Sequence, residues 1–131
     1  MRAVDTHVLA RLIVSDDLAQ QRRVVALVER AVASGESLLV THVVLAELSS
    51  VLEASYGYAR SQIAAAFRAL VDTPPFVVRP RGAIDDALVW YEKGPADFAD
   101  YLIIATATGE GCMKLVTFDR ALLKRGDCEK P

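Results

Sequence analysis

The sequence predicts an α/β fold: three layers, α/β/α, with a four- or five-stranded parallel sheet between helices. Three observations carry that expectation. Short apolar runs at Ala3-Val4, Leu38-Leu39-Val40, Phe76-Val77-Val78 and Leu115-Val116 alternate with longer stretches of helical periodicity. The runs lack the in–out alternation of a half-solvated strand, which marks strands covered on both faces. The chain has 131 residues, 53% of them hydrophobic and 24% charged, enough for one core. It shows no repeat, no linker and no long charge run, so residues 1–131 read as a single domain.

The elements follow in order. After Ala3-Val4, the stretch His7 to Val14 places Leu9, Leu12 and Ile13 on one helix side. Ser15-Asp16-Asp17 reads as a stop and a new N-cap. Leu18 to Ala33 predicts an amphipathic helix with Val24, Val25, Leu27, Val28, Ala31 and Val32 inward, closed at Ser34-Gly35. Thr41 can cap a helix over Val43 to Ser55, which Gly57 breaks. Ala59 to Val71 is an alanine-rich helix, and Thr73-Pro74-Pro75 forces a turn before the third strand. Helices are expected over Ala83 to Glu92 and, after Gly94-Pro95, over Asp97 to Thr108. The fourth strand, Lys114 to Thr117, precedes a short helix from Asp119 to Lys124. Lys124 to Pro131 offers no apolar run for a fifth strand.

Composition excludes several classes. Fifteen Lys and Arg against seventeen Asp and Glu give a net charge of −2, which excludes a polycationic nucleic-acid binder. Cys112 and Cys128 have no CxxC spacing and no His at ligand spacing, so they read as free thiols in a reducing compartment. There is no signal peptide and no membrane span, and a cytoplasmic protein is expected.

The acids are distributed unevenly. Asp5 follows the first strand and Asp119 the last, at the carboxyl edge where parallel α/β sheets place their sites. Asp97 and Asp100 are three apart and share a helix face. Glu47 has Val43, Val44 and Val51 at helical spacing, which predicts an inward carboxylate that needs a partner or a cation. Capping explains each Asp separately: Asp5 and Asp119 as N-caps, and Asp97 with Asp100 as a capping box. Glu47 could equally lie at a helix flank with its head in water. Together, the acids suggest a hard-cation site, because a divalent ion relieves their mutual repulsion.

Four segments carry a family resemblance. They are Val4-Asp5-Thr6-His7-Val8-Leu9, then Thr41-His42-Val43-Val44-Leu45-Ala46-Glu47-Leu48, then Asp97 through Ala107, and Val116-Thr117-Phe118-Asp119-Arg120. Spread in order over nearly the whole chain, they resemble the PIN-domain nucleases, and within them the VapC-type toxins of toxin–antitoxin pairs. The resemblance implies an endoribonuclease dependent on Mg2+ or Mn2+, with Asp5, Glu47, Asp100 and Asp119 as its acidic quartet. Asp97 matches a further acid present in many members. Asp5, Asp100 and Asp119 would ligate the metal, with Thr6 or Thr117 orienting a carboxylate or a water. His7 stands where members commonly carry Asn.

The resemblance also implies partners: an RNA substrate, a small antitoxin that inserts a basic side chain among the acids, and a second copy of the chain. Arg11, Arg79, Arg81 and Arg120 are the candidate phosphate contacts, and Arg22-Arg23 reads as a solvated face. Trp90, Tyr91 and Tyr101 read as packing aromatics rather than base-stacking ones, and His42 as a helix-start residue. A non-catalytic PIN-like module that binds RNA or protein is the alternative. Setting aside the five acids leaves twelve acids against fifteen bases, eleven of them Arg, so the remaining surface is net basic.

Overall fold

A computed structural model describes residues 1–131. Five strands and six helices run as β1 (Arg2–Ala3), α1 (Thr6–Ile13), α2 (Leu18–Ser34), β2 (Leu38–Thr41), α3 (His42–Tyr56) and α4 (Arg60–Val71). They continue as β3 (Phe76–Arg79), α5 (Arg81–Lys93), α6 (Phe98–Gly109), β4 (Leu115–Val116) and β5 (Cys128–Glu129), with one 3-10 turn at Leu122–Lys124. Local chemistry sets the boundaries. Asp5, Asp17 and Thr41 each accept a hydrogen bond from a backbone N–H in the first turn of α1, α2 and α3. Gly35 and Gly57 close α2 and α3 in the left-handed conformation, at φ 70° and 65°.

The strands are parallel, as the sequence predicts, but they do not form one sheet. β1, β2 and β3 make a three-stranded sheet in that order, with Leu38 opposite both Arg2 and Phe76. β4 and β5 form a separate parallel pair. Two-residue strands offer too short a ladder to bind the halves together. Arg2, at the free edge of β1, pairs instead with Glu36 through Nη2 at 2.9 Å. Val116 in β4 stays 56% exposed. β5 forms without an apolar run because its pairing is made by the backbone. Leu115 N–H donates to Asp127 at 2.9 Å and Thr117 N–H to Glu129 at 2.9 Å, while Cys128 is buried beneath.

The core is aliphatic, with an aromatic corner. Leu9, Leu45, Leu48, Leu52, Ile84, Leu88 and Ile104 are fully buried. Phe98 packs edge-on against Phe67 at 5.1 Å and against Tyr91 at 5.7 Å. Tyr91 and Tyr101 are therefore packing residues, as expected, and His42 opens α3. The α2 expectation was too generous: Val24 and Ala31 are buried, but Val25 and Val32 face solvent. The principal helix partner of α2 is α1, and its buried stripe is narrow. Cys112 and Cys128 are free thiols. No helix is long and apolar enough to cross a membrane.

Candidate active site

The site is built around the start of α6. The turn from Gly94 to Asp97 carries no secondary structure of its own, so its carbonyls need outside donors. Arg60 of α4 supplies them. Its Nη1 donates to the carbonyls of Tyr91 at 3.0 Å and Ala96 at 2.8 Å, and Nη2 to that of Pro95 at 3.1 Å. The same guanidinium lies 4.3 Å above the Tyr91 ring. From the other side, the Tyr101 hydroxyl accepts from Ala96 N–H at 3.2 Å. Gly94 admits that approach: a Cβ there would fall 1.7 Å from the Tyr101 oxygen.

This frame presents Asp97 and Asp100. Asp100 is half-buried, and its Oδ2 accepts from Asp97 N–H at 3.3 Å. Asp97 is exposed at the N-cap of α6, in the capping-box arrangement with Asp100 that the sequence predicts. Asp119 is held by both its ends. Its N–H donates to Thr117 Oγ1 at 3.0 Å, and its Oδ1 accepts from Ala121 and Leu122 N–H at 2.8 and 3.1 Å. Burial lifts the Asp100 carboxyl above the ordinary carboxylate range; the charges of Asp97 and Asp119 add to the lift, and the Asp97 N–H opposes it. Asp97, Asp100 and Asp119 thus share one local field.

The other sequence-predicted residues lie apart from that field. Asp5 is exposed at the carboxyl end of β1, where its Oδ1 accepts from Val8 N–H at 3.3 Å. It is not among the charges that act on Asp100. Thr6 beside it is buried, and His7 is exposed. Glu47 is a correction. It is exposed, as is Val43 one turn earlier at 64%, while α3 buries Leu45, Leu48, Ser49 and Leu52. The three valines misled because α3 turns its leucine stripe, not its valine stripe, to the core.

A family profile for the PIN domain matches residues 2–127. The chain belongs to the PIN domain family. Among solved structures it is similar to the crystal structure of VapC20 from Mycobacterium tuberculosis, described as a sarcin–ricin loop cleaving toxin. Identity is 20%, over 97% of this chain and 96% of that one, with a TM-score of 0.43. No curated protein matches the chain.

In this PIN domain no three Asp, Glu, His or Cys side chains stand close enough together to hold an ion between them. The donor chemistry nevertheless fits one hard cation. Mg2+ takes oxygen ligands, keeps several waters and is commonly held by one or two carboxylates with a substrate phosphate. Asp100 with Asp97 or Asp119 meets that need: burial chiefly lifts the Asp100 carboxyl, the charges of Asp97 and Asp119 add to the lift, and a cation would offset both.

Two of the four candidate phosphate contacts are occupied elsewhere. Arg11 donates to Asp16 at 2.9 Å and to the Tyr56 hydroxyl at 3.1 Å. Arg81 pairs with Asp85 at 3.0 Å and Asp72 at 2.9 Å. Arg81–Asp85 is an i,i+4 pair within α5, whereas Asp16 and Asp72 lie outside the helices of the arginines they hold. Arg79 and Arg120 are exposed and make no ion pair. Sequence reasoning missed Arg60, and nothing local could have found it, because its carbonyl partners lie more than thirty residues away.

Two outcomes follow. Arg60→Ala is expected to lower stability to urea by about 2 kcal/mol, since the three carbonyls lose a charged donor. Arg60→Lys recovers under half of that, because a point ammonium cannot reproduce the fork. Asp100→Asn keeps an acceptor for Asp97 N–H and is expected to raise Tm at neutral pH. The folded Asp100 binds its proton more tightly than the unfolded one, so its ionised form costs stability. The gain grows as pH rises through the carboxylate range and vanishes in acid, where both side chains are neutral. Thermal melts across that range check it, and a gain that persists in acid contradicts it.

Proposed function

We propose that this chain is a divalent-metal-dependent endoribonuclease, the toxin of a toxin–antitoxin pair, with Mg2+ or Mn2+ as its cofactor. Membership of the PIN domain family supports a nuclease reading. The single observation that carries it is the shared field at Asp97, Asp100 and Asp119, where burial and like charge hold one carboxyl above its usual range. Such perturbation in a cluster is typical of functional carboxylates.

When bound, the divalent ion supplies Lewis-acid activation of a water for in-line attack on phosphorus. The chain supplies position. Asp100 and Asp119 would hold the ion, each with one oxygen already fixed by backbone N–H groups and the other free. Asp97, exposed at the N-cap of α6, would orient or deprotonate the attacking water. Thr117 fixes Asp119 by accepting its N–H. Asp5, at the end of β1, and Glu47, on α3, are exposed carboxylates that would offer further oxygen ligands to the ion. Of the four candidate arginines, Arg79 and Arg120 are the two left without an ion pair for the substrate backbone. Water as nucleophile leaves a 3′-hydroxyl and a 5′-phosphate.

The toxin reading brings a cognate antitoxin, a homodimer and a cytoplasmic setting. It rests on the four motif segments that resemble VapC-type toxins. One observation favours a non-catalytic PIN-like module instead: the carboxylates are not closed into a three-ligand group. Retention of all five acids weighs against it.

With single-stranded RNA and Mg2+ the protein is expected to cleave, and EDTA to abolish cleavage. Asp5→Asn and Asp100→Asn should each slow the reaction by about 10²–10³-fold, the scale of losing one preorganised electrostatic contact. Circular dichroism should show both variants folded. A 2′,3′-cyclic phosphate product overturns the mechanism, and full activity in both variants overturns the site.

A further inference from the structure

Next to Asp5 the surface opens into a groove of about 560 Å3 between α1 and α2. Its charged lining is Arg11, Arg23 and Arg30, with His7 beside them and Val24 and Leu27 on its apolar floor, and no acid lines it. The two α2 cations differ from Arg11. Arg11 is neutralised by Asp16, whereas Arg23 and Arg30 are exposed and make no ion pair or hydrogen bond within the chain. They are seven residues apart, two turns on one helix face, roughly 10 Å along the axis. His7 lies at the end of the groove nearest Asp5, in the first turn of the same helix that Asp5 caps. An acid-free pair of unpaired guanidiniums facing the helix that Asp5 caps is complementary to a chain of phosphates.

We infer that this groove is the track for the phosphodiester backbone flanking the scissile bond, with Arg23 and Arg30 as phosphate contacts and His7 joining the track to Asp5. The inference rests on the RNA-cleaving reading, and it extends that reading to residues outside the acidic site. Guanidiniums grip phosphate oxygens bidentately, and the apolar floor accepts ribose and base faces between them. The track sets substrate affinity and register, while the reacting phosphate remains with the carboxylates.

The test is the salt dependence of binding between full-length protein and a fluorescent single-stranded RNA, with EDTA present so that cleavage does not interfere. Each phosphate contact in a single-stranded complex contributes about 0.7 to the slope of log K against log salt. The Arg23→Gln/Arg30→Gln double variant is expected to flatten the slope by about 1.4. In cleavage assays with metal, its KM should rise about tenfold or more with kcat within twofold of the original. Arg22→Gln, which removes an exposed charge on the same helix outside the groove, should leave the slope unchanged. An unaltered slope in the double variant overturns the track. An unaltered RNA slope together with loss of binding to a polyglutamate peptide overturns it in favour of an acidic peptide. RNA binding that depends on Arg23 and Arg30 without any cleavage upholds the track and instead overturns the nuclease reading.

Discussion

Arg60 is the contact on which the candidate site depends. The turn from Gly94 to Asp97 leaves backbone carbonyls that neither α5 nor α6 can satisfy. One guanidinium from α4 takes two of them, at Pro95 and Ala96, together with the Tyr91 carbonyl near the end of α5, and stacks on the Tyr91 ring at the same time. Opposite it, the Tyr101 hydroxyl fills the space that only a glycine at position 94 leaves open. The start of α6 is thereby fixed from both sides, and with it the direction in which Asp97 and Asp100 face. Stability and placement of the acids are consequently the same problem in this chain.

That rigidity has an electrostatic cost. Asp100 is held where burial and two neighbouring carboxylates oppose its ionisation, and a single backbone N–H is all that favours it. A fold selected for stability alone would put a neutral residue there. The charge is intelligible if a cation answers it. Asp5 and Glu47 contribute differently: both are exposed and held by little beyond their own helices, so they can move toward an ion without disturbing the core.

Much of this was legible in the sequence. Apolar runs between helical stretches gave the parallel α/β class and nearly every element to within a residue or two. What failed did so where tertiary contacts decide. Two-residue strands have no sequence signal that says which neighbour they pair with, so one expected sheet became two. The valines around Glu47 suggested burial, but which stripe of α3 faces inward depends on how α1 and α6 pack against it. Arg11 and Arg81 looked like phosphate contacts until their acid partners were placed. Arg23, which looked like solvated surface, lines a groove together with Arg30 because α1 lies beside α2. The capping positions of Asp5, Asp97 and Asp119 were legible from strand ends and helix starts, where position along the chain is enough.

The central claim is that Asp97, Asp100 and Asp119 form one cation-binding centre. Paramagnetic broadening tests it directly, with Mn2+ titrated into isotope-labelled protein and followed residue by residue by NMR. The account predicts that substoichiometric Mn2+ first erases the backbone signals of Asp97, Asp100, Asp119 and their immediate neighbours. Broadening that begins at other acids, such as Asp16, Asp72 or Asp85, or that spreads evenly over the surface, would contradict it.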